Sequence, residues 1–241
     1  MKKAIIILGI IVFITGGCGQ ARSNQTEIES KVVKEQEENR CDFEEEYDTI
    51  SGENEEKNFR QIGLDEKIGN QTLKDYLTDE KIPQIFKDVF QQKQTIFEEE
   101  EKTLALIDSL FSTDTKRHPF YFVLVTRALW WADGAFAEPL GVAVREYVES
   151  NTQQFLAYFS TEVVLTQFDF KHWARFTLFE ILIDSEDNVE QQIENTERLM
   201  KENCINCSSK KTKMIDKFIK KMYAEHKRIQ RMNREWEKNN L

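Results

Sequence analysis

Apolar residues fall into three regimes along this chain. Ala4 to Ile14 form an almost unbroken apolar run behind Lys2 and Lys3. From Gln20 to Arg60 apolar residues are sparse and unphased, and acidic residues outnumber basic ones. From Ile62 onward they recur at spacings of three and four, which lays them along one face of a helix.

The third regime divides into successive helical stretches. In "TLKDYLTDEKIPQIFKDVFQQKQ" the phased residues are Ile82, Ile85, Phe86, Val89 and Phe90, and in "TIFEEEEKTLALIDSLF" they are Leu104, Ile107, Leu110 and Phe111. "HPFYFVLVTRALWWADG" is apolar almost all round, the pattern of a central helix, with Pro119 in its first turn and Asp133-Gly134 as its stop. Its β-branched and aromatic content also suits a strand, but its neighbours favour helix. "EPLGVAVREYVES" opens on Pro139 and turns Leu140, Val144, Tyr147 and Val148 inward. Asn151 or Thr152 caps a short helix carrying Phe155, Leu156 and Phe159. Thr166 stands three residues before Asp169, a capping-box spacing, and Phe168, Trp173, Phe176, Phe179 and Ile183 follow as core positions. Two more helices close the chain; the last is basic, with a stripe of Met214, Phe218, Met222 and Ile229.

Composition supports this reading. Three Pro and nine Gly in 241 residues are too few for the turns of an all-β protein, and 17 Phe are ample for a core. The expected fold is all-α: a helical bundle or short irregular α-solenoid of about seven to eight helices, after a disordered acidic spacer. No internal repeat has matching residues at a fixed period. The net charge of −10 argues against nucleic acid as a partner, because phosphate neutralisation needs a basic surface. Four Cys are too few for a disulfide-built scaffold of this length.

The N-terminal segment has the layout of a signal peptide: two lysines, an apolar run too short for a comfortable permanent span, then small residues. Thr15-Gly16-Gly17-Cys18 resembles the lipobox of bacterial lipoprotein precursors, with Thr15 where that pattern usually has Leu, Val or Ile. The resemblance covers the targeting segment alone. It implies cleavage before Cys18, acyl chains on that residue, and a location in the cell envelope. Gly19 in place of Asp favours the outer membrane if the host has two. Two or three acyl chains make a durable anchor, whereas one binds only marginally.

The boundaries that follow are a signal peptide over 1–17, a lipidated Cys and acidic tether over 18–61, and one helical domain over 62–241. A tether of this length behaving as a flexible coil has an r.m.s. span of roughly 35 Å. Its "DFEEEYD" cluster, Asp42 to Asp48, reads as solvated spacer or as an acidic docking motif.

Candidate chemistry is thin. Cys204 and Cys207 have the C-x-x-C spacing of a structural disulfide, a redox pair or half of a zinc site. In an exported protein the disulfide is the expected state, and Cys41 is then the odd thiol. Zinc lacks a second ligand pair, so no metal and no cofactor are assigned. Asp169, His172 and Arg175 recur every three residues on one helix; the carboxylate and imidazole are the candidates for acid–base work, and Arg175 and Trp130 for binding. A polar cluster with Glu138 or Glu146 is the alternative role for that triplet. Trp130 and Trp131, adjacent on a helix, would point about 100° apart, with Trp131 the expected core residue. No phosphate loop, nucleophile elbow or H-E-x-x-H occurs in the chain.

Together these features favour a membrane-anchored exported lipoprotein that binds a protein or envelope partner rather than catalysing a reaction. The alternatives are an envelope enzyme acting on wall material and an immunity-type protein that caps a toxin.

Overall fold

The computed structural model describes residues 59–93, 100–132, 134–185 and 188–240. The expected signal peptide, Cys18, Cys41 and residues 18–58 of the expected tether lie outside the described residues. What is described is all-α, with one minimal hairpin of β1 (Lys67–Ile68) and β2 (Gln71–Thr72). Gly69 turns that hairpin at φ +60°, and a Cβ there would come within 3.0 Å of the Pro119 ring. Both facts call for glycine.

Nine helices follow among the described residues: α1 (Leu73–Thr78), α2 (Gln84–Phe90), α3 (Glu100–Ser109), α4 (His118–Ala128), α5 (Gly134–Ser150), α6 (Thr152–Thr161), α7 (Gln167–Asp184), α8 (Val189–Glu202) and α9 (Ser209–Asn240). The count exceeds the expected seven to eight because Pro83 separates α1 from α2. Proline biases the residue before it away from helical backbone, so one continuous helix cannot pass through.

Two helices lie at the centre. In α4 every residue except Pro119 is buried, and α7 buries residues on all sides, from Asp169 and Phe170 to Glu180 and Ile181. Trp173 is fully buried, with rings of Phe122, Phe155 and Tyr147 at 5.0, 5.2 and 5.9 Å. Its indole Nε1 donates to Thr126 Oγ1 at 3.0 Å, which satisfies the one polar atom the ring carries inward. α5 packs on α7 closely enough at Gly141 that a Cβ would meet Glu180 Oε2 at 3.2 Å. α8 and α9 flank this pair with single apolar stripes: Val189, Ile193 and Met200 on one, Met214, Phe218 and Met222 on the other.

Several expectations change. α4 stops at Ala128, so Leu129 to Trp131 form a turn rather than more helix. α5 begins at Gly134, not at Pro139, which lies inside it. An interior proline sacrifices one backbone hydrogen bond, a cost of about 3 kcal/mol; burial of Phe136 in the first turn offsets part of it. Leu104, Phe111 and Ile183 are exposed, Ile183 at 61%. The domain also starts earlier than 62, because Phe59 and Arg60 pack on it.

Candidate functional site

A recess forms where the end of α4, the loop between α6 and α7, and the incoming strand of chain at Phe59 to Ile62 meet. Its walls include Phe59, Arg60, Arg127, Leu165 and Asp169, and its space of about 10 Å³ fits roughly one water.

Arg127 organises one wall. It interrupts an apolar helix, so its guanidinium is drawn out of water and needs substitutes. The rings of Phe59 and Phe90 supply them, with the guanidinium carbon 4.3 and 4.7 Å from their centroids, a cation–π arrangement. Nη1 donates to the Arg60 carbonyl at 3.0 Å, and buried Nε has no hydrogen-bond partner among the described residues. Burial pulls this guanidinium down to about 10, with Asp169 opposing the shift, so it stays cationic at neutral pH.

Asp169 organises the other. As the third residue of α7 it completes a capping box: Thr166 Oγ1 accepts from the Asp169 amide, and Asp169 Oδ2 accepts from the Thr166 amide at 2.7 Å. Its other oxygen accepts from Trp130 Nε1 at 2.7 Å. Burial pushes the carboxyl above its ordinary range, against the hydrogen bonds from Trp130 and Thr166. One turn along, the His172 ring lies 4.2 Å from Trp130.

Three candidates from the sequence therefore converge: Trp130, Asp169 and His172. Arg175 does not join them. Its Nε is 3.6 Å from Glu225 on α9, and its guanidinium lies over the Phe179 ring at 5.1 Å. Burial alone would raise the Glu225 carboxyl, but the hydrogen bond from Arg228 and the charges of Arg228 and Arg175 hold it below its ordinary range. Glu138 and Glu146 are exposed on α5 and take no part in the cluster.

The two tryptophans exchange the roles expected of them. Trp131 is 36% exposed and Trp130 is the more buried. Leaving the helix lets both rings reach Phe59, at 5.5 Å from Trp130 and 4.8 Å from Trp131. Phe59, Arg60 and Arg127 are the members that sequence reasoning missed. The available signal was a lone arginine in an apolar helix, which has to find aromatic or carbonyl partners.

Elsewhere, Cys204 and Cys207 are joined in a disulfide with Cα atoms 5.4 Å apart, in the turn between α8 and α9. Among the described residues no group of three His, Cys, Asp or Glu could hold a metal ion, and no helix is long and apolar enough to cross a membrane.

Comparison of the chain with protein-family models, curated proteins and solved structures gave no match.

Proposed function

We propose that this chain is an exported lipoprotein, held to a membrane by acyl chains on Cys18, whose helical domain binds a partner in the cell envelope. The carrying observation is the N-terminal sequence, in which an apolar run behind two lysines ends at Thr15-Gly16-Gly17-Cys18. The partner surface is the rim of the recess, where Phe59, Arg60 and Trp131 combine flat aromatic area with a cation. Aromatic and arginine side chains are the residues most enriched where binding energy concentrates.

Asp169 supports binding over wall hydrolysis. Both its oxygens are engaged, one by Trp130 and one by Thr166, so the carboxylate caps a helix instead of meeting a substrate.

Mass spectrometry of the mature N-terminus tests the anchor. The expected peptide begins at Cys18 with added acyl mass; an unmodified Cys18 or a retained Met1 refutes it. A pull-down from membranes with the acylated protein tests the domain. Trp131→Ala and Phe59→Ala are expected to lose the captured partner, and capture unchanged in both variants would reject the rim as its surface.

A further inference from the structure

The turn that joins α8 to α9 holds its disulfide in an asymmetric setting. Cys204 is 8% exposed and belongs to the core, whereas Cys207 is only partly buried. Their bond spans a separation of three residues, so it constrains the unfolded chain less than a long-range bridge would.

The surroundings of Cys207 favour a thiolate. Ser208 caps α9: its Oγ accepts from the Lys211 amide at 3.4 Å and its carbonyl from the Thr212 amide at 3.1 Å. Cys207 therefore stands immediately before the cap, at the helix end where backbone amides concentrate positive charge. The first turn of α9 has no acidic residue, and Lys210, Lys211 and Lys213 fall within its first five positions. Lys211 Nζ donates to the Gln153 carbonyl at 3.3 Å. The flanking carboxylates are engaged by other cations, Glu202 by Arg198 at 2.7 Å and Asp216 by Lys201 at 3.5 Å. Helix starts ordinarily gather anions, so this one is electrostatically unfavourable until an anion stands beside it. A thiolate at Cys207 is such an anion. Inside the C-x-x-C turn, Ile205 is 69% exposed, and Asn206 at φ +58° reverses the chain after it. Burial of that side chain against an incoming peptide is favourable.

We propose that Cys204 and Cys207 form a thiol–disulfide exchange site that oxidises a peptide or protein dithiol. A substrate thiolate attacks Cys207 Sγ, the S–S bond breaks, and Cys204 leaves with the electron pair. The substrate and Cys207 are then joined in a mixed disulfide, and Cys204 takes the proton that the substrate's second thiol gives up. That second thiolate attacks the substrate's own sulfur in the mixed disulfide, and Cys207 leaves as a thiolate beside the start of α9. The substrate ends as a disulfide and the protein as a dithiol. Two electrons pass from one to the other, and no further oxidant is consumed. Attack falls on Cys207 because Cys204 is enclosed by the core. The exchange does not depend on an anchor at Cys18.

The full chain carrying Cys18→Ser and Cys41→Ser keeps only this pair of cysteines and serves as the test protein. It is mixed in its oxidised form with a reduced synthetic peptide bearing two cysteines, quenched in acid, alkylated and read by mass spectrometry. The peptide should become oxidised as the protein becomes reduced. At pH 7 the rate should exceed by about tenfold that of an oxidised synthetic peptide of residues 203–210, which has the same disulfide without the fold. In the same background, Cys204→Ser should form a mixed disulfide with oxidised glutathione about tenfold faster than Cys207→Ser does. Adding Lys210→Gln and Lys211→Gln to Cys204→Ser should slow that capture about threefold at low salt, with helical circular dichroism unchanged. A folded chain that reacts no faster than the short peptide would overturn the proposal. So would faster capture through Cys204 than through Cys207, or capture indifferent to the two lysines.

Discussion

Trp130 donates its indole N–H to Asp169 across 2.7 Å and so links the turn after α4 to the first turn of α7. The bond serves a carboxylate whose other oxygen already closes a helix cap. Trp130→Phe keeps the ring but leaves one buried acceptor without its donor, at a cost of about 1–3 kcal/mol. Thr166→Ala removes the cap and costs about 1 kcal/mol. Urea unfolding of the two single variants and the double should show non-additivity, because both act on Asp169. Strict additivity would mean the cap and the indole bond are independent.

His118 makes stability depend on pH. Its Nε2 lies 2.7 Å from the Leu110 carbonyl, which can only accept, so Nε2 carries the proton. Nδ1 then accepts from the Tyr158 hydroxyl at 2.6 Å. Burial pushes Tyr158 up to about 12, which keeps it a donor, and holds the imidazole below its ordinary range. A histidine with a depressed folded-state value contributes stability that is complete above the unfolded value near 6.5 and is lost as pH falls from there through the lower folded-state value. Thermal unfolding between pH 8 and pH 5 should therefore show a decline that His118→Gln flattens, whatever that variant does to stability at pH 8. An unchanged slope in the variant would place the pH dependence elsewhere.

Thr126 is the acceptor for the indole N–H of Trp173 in the centre of the core. Thr126→Val preserves volume but strands that N–H, and should cost about 1–3 kcal/mol. Adding Trp173→Phe removes the stranded donor, so the hydroxyl's loss should matter less in that background even though the smaller ring leaves a cavity. Denaturant midpoints of all four proteins measure the difference. Equal cost of Thr126→Val in both backgrounds would show that the bond contributes nothing.

The disulfide between Cys204 and Cys207 closes a very short loop, so its entropic contribution is at most about 2 kcal/mol. Changing both to Ser should lower stability by no more than that and leave helical circular dichroism intact. Asn206, inside the loop, has φ +58°, a left-handed conformation that Asn tolerates and β-branched residues do not. Asn206→Val should therefore cost more than Asn206→Gly, as read by thermal unfolding of the oxidised protein. Equal costs would show that the backbone relaxes at this position.

Helical class, the central place of α4 and the cap at Thr166 and Asp169 were all legible from residue spacing. Each depends on interactions within a few residues: periodicity for α4, and one side-chain reach of three positions for the cap. The convergence of Trp130, Asp169 and His172 was not legible. Asp169 and His172 share a helix, but Trp130 comes from a turn that the apolar pattern read as further helix. Likewise Ile183 has core periodicity but lies exposed in the last turn of α7. Periodicity specifies which face of a helix is apolar, not how far the partner helix extends beneath it.

By itself, then, the sequence determined local conformation and sidedness, because backbone propensity, capping and burial preference act over one or two turns. Tertiary structure decided which faces meet and what they enclose. It brought Phe59 onto Arg127, turned Trp130 inward and Trp131 outward, and sent Arg175 to Glu225. Those outcomes depend on packing between elements far apart in the chain, where shape and the satisfaction of buried polar groups select one arrangement among many that share the same pattern.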